Sequence, residues 1–76
     1  MRGFVLVSLD EAVDERKVLD SLVELEEVAE AHLVFGEWDI LLKAECMSPA
    51  LFSAFVLDKI RSIPEVKMTS TMIIAR

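Results

Sequence analysis

The spacing of apolar residues changes several times along the chain, and each change marks an element. GFVLVSL (3–9) is a short β-branched and aromatic run that stops at the acidic stretch DEAVDE, and it predicts a first strand. Over residues 14–26 the period lengthens. Val18, Leu22 and Leu25 recur at i, i+4 and i+7, Leu19 and Val23 widen the stripe, and charges fill the opposite side. That is an amphipathic helix, with Asp10 or Asp14 as N-cap. VAEAHLVF (28–35) predicts a second strand and WDILLKAEC (38–46) a third. Between them GE makes a tight turn, since Gly supplies the positive φ that hairpin turns need. Ser48-Pro49 puts a hydroxyl cap before a first-turn proline, so a second helix starts there, runs to about Ser62 and ends before Pro64. VKMTSTMIIA (66–75) predicts a fourth strand.

The chain also repeats. LDSLVELEEV (19–28) aligns with LDKIRSIPEV (57–66) at an offset of 38 residues, half of the 76-residue length. Leu22 matches Ile60, Leu25 matches Ile63 and Val28 matches Val66. Two such halves give β-α-β-β-α-β. The fold class expected is α+β, ferredoxin-like, with a four-stranded antiparallel sheet and two helices on one face. The whole chain, 1–76, makes one small domain.

A solvated sheet face alternates polar with apolar residues. FVLV, ILL and MII are instead apolar at consecutive positions, so both faces of the sheet carry apolar residues. A lone protomer would expose a broad apolar patch. A sheet-to-sheet dimer removes it. Helix two, with Leu51, Phe52, Phe55, Val56, Leu57 and Ile60, is apolar on more than one side and implies a further contact.

Composition sharpens this picture. Hydrophobic residues make up 54% of the chain, rich for a domain whose own core is small. Fourteen acids against eight bases give a net charge of −6, with no run of Lys or Arg. Direct binding to nucleic acid needs clustered positive charge, so none is expected. A single cysteine, Cys46, cannot form an internal disulfide and suits a reducing cytoplasm. The N-terminal apolar run is too short for a signal peptide. No segment approaches the roughly 20 apolar residues of a membrane span.

Candidate chemistry centres on VFGEWDILLKAEC (34–46), where Gly36, Glu37, Trp38 and Asp39 stand at the mouth of a strand. The plain reading is a turn glycine, solvated acids and an interface aromatic. His32 is alone in its strand and has no His/Cys cluster around it, so no metal site is expected. Cys46 has no nearby base and reads as a small buried hydrophobe. No catalytic residue is assigned, because no phosphate loop, nucleophile elbow or carboxylate pair is present.

The series Val28, Gly36, Trp38, Asp39, Ile63, Pro64, Val66, Thr69 and Thr71 resembles, in order and spacing, the effector-binding (RAM) domain of the leucine-responsive/asparagine-regulator, or Lrp/AsnC, transcription factors. The likeness covers nearly the whole chain. Strand one starts near residue 3, where family members carry a helix-turn-helix domain, so the chain is expected to be a stand-alone RAM protein. Phe35 departs from the small hydroxyl residue common before the Gly. The resemblance implies a cytoplasmic, non-enzymatic module, with no cofactor, that binds an amino-acid effector and forms homo-oligomers. Dimers would assemble into a higher ring and could mix with DNA-binding relatives. It implies ligand-binding by Gly36, Glu37, Trp38, Asp39, Thr69, Ser70 and Thr71: Asp39 for an α-ammonium, Trp38 as an apolar wall, the hydroxyls for the carboxylate. The rival class is a small dimeric α+β barrel enzyme, an isomerase or monooxygenase. One His and no Tyr leave little to line such a cleft.

Overall fold

The computed structural model describes residues 1–75. Four strands, β1 (Arg2–Leu9), β2 (Val28–Leu33), β3 (Ile40–Glu45) and β4 (Val66–Ile73), form one antiparallel sheet in the order β2-β3-β1-β4. Helix α1 (Glu15–Val23) follows β1, and helix α2 (Pro49–Phe55) follows β3. The βαββαβ order is the one the hydrophobic pattern predicts.

The two sheet faces differ in what covers them. Val5, Val7 and Leu9 of β1 and Ile40, Leu42 and Ala44 of β3 pack with Val18 and Leu22 of α1 and with Phe52, Phe55, Val56 and Ile60 beyond β3, forming one core. Both helices therefore lie on one face. Alternate residues point the other way. Cross-strand register sets Phe4 between Lys43 and Met72, Leu6 between Leu41 and Ser70, and Ser8 beside Met68. Paired side chains share a face, so Phe4, Leu6, Leu41, Met68 and Met72 make an apolar field on the open side. Met68 and Met72 are each 53% exposed.

The caps explain where the helices start. Asp14 accepts from the Lys17 N–H at 3.2 Å, and Ser48 Oγ accepts from the Leu51 N–H at 3.2 Å with Pro49 next in the chain. The repeat reappears in the backbone where the helices end. Leu25 N–H bonds Leu22 C=O and Val28 N–H bonds Leu25 C=O, each at 3.1 Å. The same two bonds, at the same 3.1 Å, join Ile63 to Ile60 and Val66 to Ile63. Apolar residues at these matched positions turn each helix back toward the core and feed the next strand.

Several boundaries differ from expectation. α1 stops at Val23 rather than 26, because the chain reverses there to bring Leu25 against the core. The second helix reaches Ile60 but changes character: Val56–Ile60 is π-helical, and Arg61 N–H bonds Val56 C=O five residues back at 2.8 Å. β2 ends at Leu33 and β3 begins at Ile40, so the GE turn is a wider connection. Val34 N–H bonds Asp39 C=O at 2.9 Å across it. Phe35, expected in the strand, stands fully in solvent. β4 ends at Ile73, two residues early.

Candidate functional site

The β2–β3 connection, residues 34–39, projects from one end of the sheet. Gly36 takes φ +129°, a backbone conformation that other L-residues seldom adopt, and a Cβ there would meet nothing within 4 Å. Conformation, not crowding, requires the glycine, and its backbone is open to solvent.

Asp39 ties this turn to the central strand. Its N–H donates to Val7 C=O at 2.9 Å, and its Oδ2 accepts from the Leu9 N–H at 2.7 Å. The β1–β4 register slips between Ser8 and Leu9. That slip leaves Lys67 of β4 as the extra residue, whereas the Leu9 N–H points to the β3 side, beyond the last β1–β3 pair at Val7 and Ile40, and there the Asp39 carboxylate satisfies it. Oδ1 makes no hydrogen bond among the described residues. Asp39 is thus a structural staple with one oxygen to spare.

Two clefts of about 230 Å³ flank Asp39, which lines both. One lies between β2 and α1, beside Glu15, Phe35 and Gly36. The other gathers Glu37, Trp38 and Asp39 with Ser8 and Leu9 of β1 and Lys67 and Met68 of β4. Trp38 is half-buried and Glu37 exposed. Ser8 Oγ is buried with no hydrogen-bond partner. Two carboxylates, one ammonium, one orphan hydroxyl and an indole therefore share a small cleft at the rim of the open sheet face.

The predicted residues divide. Glu37, Trp38 and Asp39 come together, and Gly36 sits across Asp39 from them. Thr69, Ser70 and Thr71 line neither cleft. Thr69 pairs with Val7 and Thr71 with Val5, so both lie on the helix-covered face at the sheet edge; Ser70 pairs with Leu6 on the open face. Lys67 and Ser8 were missed. A signal existed: Lys67 is the base at the head of the fourth strand, beside the β1 end in any β1–β4 antiparallel pair.

The remaining titratable features are modest. His32 Nε2 lies 3.7 Å from Glu30 Oε2 on the sheet edge, both exposed. No group of three or more His, Cys, Asp or Glu placed to hold a metal occurs among the described residues. No helix there is long and apolar enough to cross a membrane.

Residues 2–76 match the family model described as the Lrp/AsnC ligand binding domain. An uncharacterised HTH-type transcriptional regulator of Pyrococcus horikoshii is 36% identical over 73 residues, covering 93% of this chain and 49% of that protein. The chain spans about half the length of the curated relatives it matches. The crystal structure of FFRP-DM1 superposes with a TM-score of 0.89 at 38% identity, covering 96% of each chain. A Neisseria meningitidis transcriptional regulator crystallised with L-Met superposes at 0.88 with 30% identity, over 99% of this chain and 49% of that one.

Proposed function

From the premise that the chain belongs to the Lrp/AsnC ligand-binding-domain family, we propose that it binds a free amino acid in the cleft between Trp38 and Lys67 and couples that binding to assembly. The observation that carries this reading is the mixed charge of the cleft. An α-amino acid is a zwitterion and needs an acceptor for its ammonium and a donor for its carboxylate. Asp39 Oδ1 and Glu37 supply the first, Lys67 the second. Trp38 and Met68 give an apolar wall to the side chain. The L-Met held by the Neisseria relative is a ligand of this class.

Assembly follows from the open sheet face. Phe4, Leu6, Leu41, Met68 and Met72 bury against the same face of a second copy, and Met68 joins that surface to the ligand cleft. Occupancy and pairing are coupled there. Dimers would build a ring, and the same face would accept a DNA-binding relative, so the role is regulatory rather than enzymatic. The acidic chain itself would leave DNA contact to such a partner.

A thermal-shift screen of the twenty amino acids, then calorimetry with the best of them, tests the reading. Lys67→Met is expected to weaken binding roughly ten- to a hundredfold, the usual worth of a hydrogen bond to a charged group. The amino-acid methyl ester, which lacks the carboxylate, should bind the wild type weakly and lose little more in Lys67→Met. Equal affinity of acid and ester for the wild type would sink the assignment.

A further inference from the structure

Strand β4 closes one side of the sheet, with β1 as its neighbour and no strand beyond it among the described residues. Its pairing with β1 runs unbroken from Gly3 and Ile73 to Ser8 and Met68. Ile74 N–H donates to Arg2 C=O at 2.8 Å, so Met72, Ser70 and Met68 also turn their N–H and C=O groups toward β1. The backbone groups of Thr69, Thr71 and Ile73 therefore point outward. A row of unpaired groups of this kind templates a further strand. The opposite edge, β2, is guarded: it is shorter, its register slips between Val28 and Glu30, and it carries Glu30 and His32. Residues 68–73 of β4 hold no charge, no proline and no slip.

The sequence of this edge says what fits it. Residues 68–72 are Met-Thr-Ser-Thr-Met, the same read in either direction. Antiparallel strands run in opposite directions, so a palindromic strand is complementary to its own copy about a two-fold axis. We propose that β4 pairs edge to edge with β4 of a second copy, antiparallel and centred on Ser70, so that two sheets become one.

In that register Thr69 stands opposite Thr71 of the second copy on both sides of the axis, and each such pair exchanges both backbone hydrogen bonds. Cross-strand threonine pairs stabilise antiparallel sheets. On the open face Met68 stands opposite Met72, so the apolar field continues across the axis. Lys67 falls opposite Ile73 and clear of its own copy. Thr69 and Thr71, which line neither cleft beside Asp39, gain a role here. A pair of strands is marginal by itself in water. The contact therefore rests on the face-to-face pairing proposed above, which gives each dimer two such edges. Face and edge are separate two-folds, and together they carry assembly beyond the dimer.

Thiol cross-linking tests the register. Ser70→Cys, in a Cys46→Ala background, puts two thiols across the axis with Cα atoms about 4.5 Å apart, within disulfide reach. Sheets stacked face to face lie about 10 Å apart, beyond that reach. Mild oxidation at high micromolar concentration should link most of the protein into disulfide pairs. Thr71→Pro removes an outward N–H that β1 does not use, so the far-ultraviolet spectrum should hold while cross-linking falls at least fivefold. Thr69→Lys with Thr71→Lys sets like charges opposite one another and should have the same effect. Thr69→Glu with Thr71→Lys sets opposite charges there and should restore the cross-link. No cross-link in Ser70→Cys, a cross-link that survives Thr71→Pro, or equal loss in the two charged pairs overturns the proposal. Light scattering separates the two contacts: a dimer without the Ser70→Cys cross-link sinks the edge pairing and leaves the face pairing standing, and a monomeric wild type sinks both.

Discussion

Single residues here hold the fold and the site together, and two of them separate those roles. Asp39→Ala removes the acceptor for the Leu9 N–H and should cost about 1–3 kcal/mol, the penalty for a stranded donor. Asp39→Asn keeps a carbonyl oxygen in place and should hold most of that stability. It loses the charge, and with it roughly ten- to a hundredfold in amino-acid affinity if Oδ1 takes an ammonium. Urea unfolding paired with calorimetry measures both effects, and full affinity in Asp39→Asn would remove the carboxylate from the site. Gly3 is a different case. A Cβ there would lie 2.7 Å from the Met72 carbonyl oxygen and 2.8 Å from Phe52 Cζ. Neither neighbour is a loose chain end, because one is backbone and the other a fully buried ring. Gly3→Ala should therefore lose about 1–3 kcal/mol to overpacking, with a matching drop in the urea midpoint. In Gly3 and Asp39 the residue type was plain from the start, but the neighbour that makes it necessary was not.

At the scale of elements, Glu27 and Lys59 join the connection before β2 to the π-helical end of the second helix at 2.8 Å. The hydrogen bond from Lys59 lowers the Glu27 carboxyl from its ordinary 4.5, and the same bond raises Lys59 from 10.5. The two shifts describe one pair and count once. A depressed carboxyl contributes stability that is present above 4.5 and lost as pH falls through the lowered folded value. On the alkaline side, the contribution is present below 10.5 and lost as pH rises through the raised lysine value. The side chains remain 45% (Lys59) and 23% (Glu27) exposed, so solvent screens the pair and its worth is small. NMR titration of the carboxyl carbon is the sensitive measurement. Lys59→Met should move the Glu27 midpoint upward, and a midpoint that stays put would mean the pair is not formed in solution.

At the scale of the whole molecule, the helix-covered face is complete and the open face is not. Phe4, Leu6 and Leu41 sit mid-sheet, flanked by the exposed Met68 and Met72. Light scattering at low micromolar concentration should give a dimer or larger. Leu6→Glu should yield a monomer with an intact far-ultraviolet spectrum. Leu6 lies outside the core, and a two-fold contact places the new charge twice in one interface. A wild type that runs as a monomer would show that the apolar field stays solvent-exposed.

Local sequence settled whatever depends on near neighbours. Period and turn chemistry were enough for six elements in order, for the cap at Ser48 and for two apolar sheet faces, and they narrowed the first cap to Asp10 or Asp14, of which the fold uses Asp14. The 38-residue repeat foretold matched helix exits, and the backbone bonds at Leu25 and Ile63 match. Tertiary structure decided the rest. Nothing local marks Val56–Ile60 as π-helical, since Val56, Leu57 and Ile60 read equally well as ordinary helix. Nothing local sends Trp38 and Asp39 out of the β3 ladder, because that follows from Asp39 bonding to β1. Lys67 and Ser8 meet Trp38 only because β4 pairs with β1 in one register, and Glu27 meets Lys59 only because the connection from α1 to β2 packs beside the second helix. Short-range patterns record which face a residue presents to the core; which partner it meets depends on pairings between distant segments, and those are fixed only when the sheet closes.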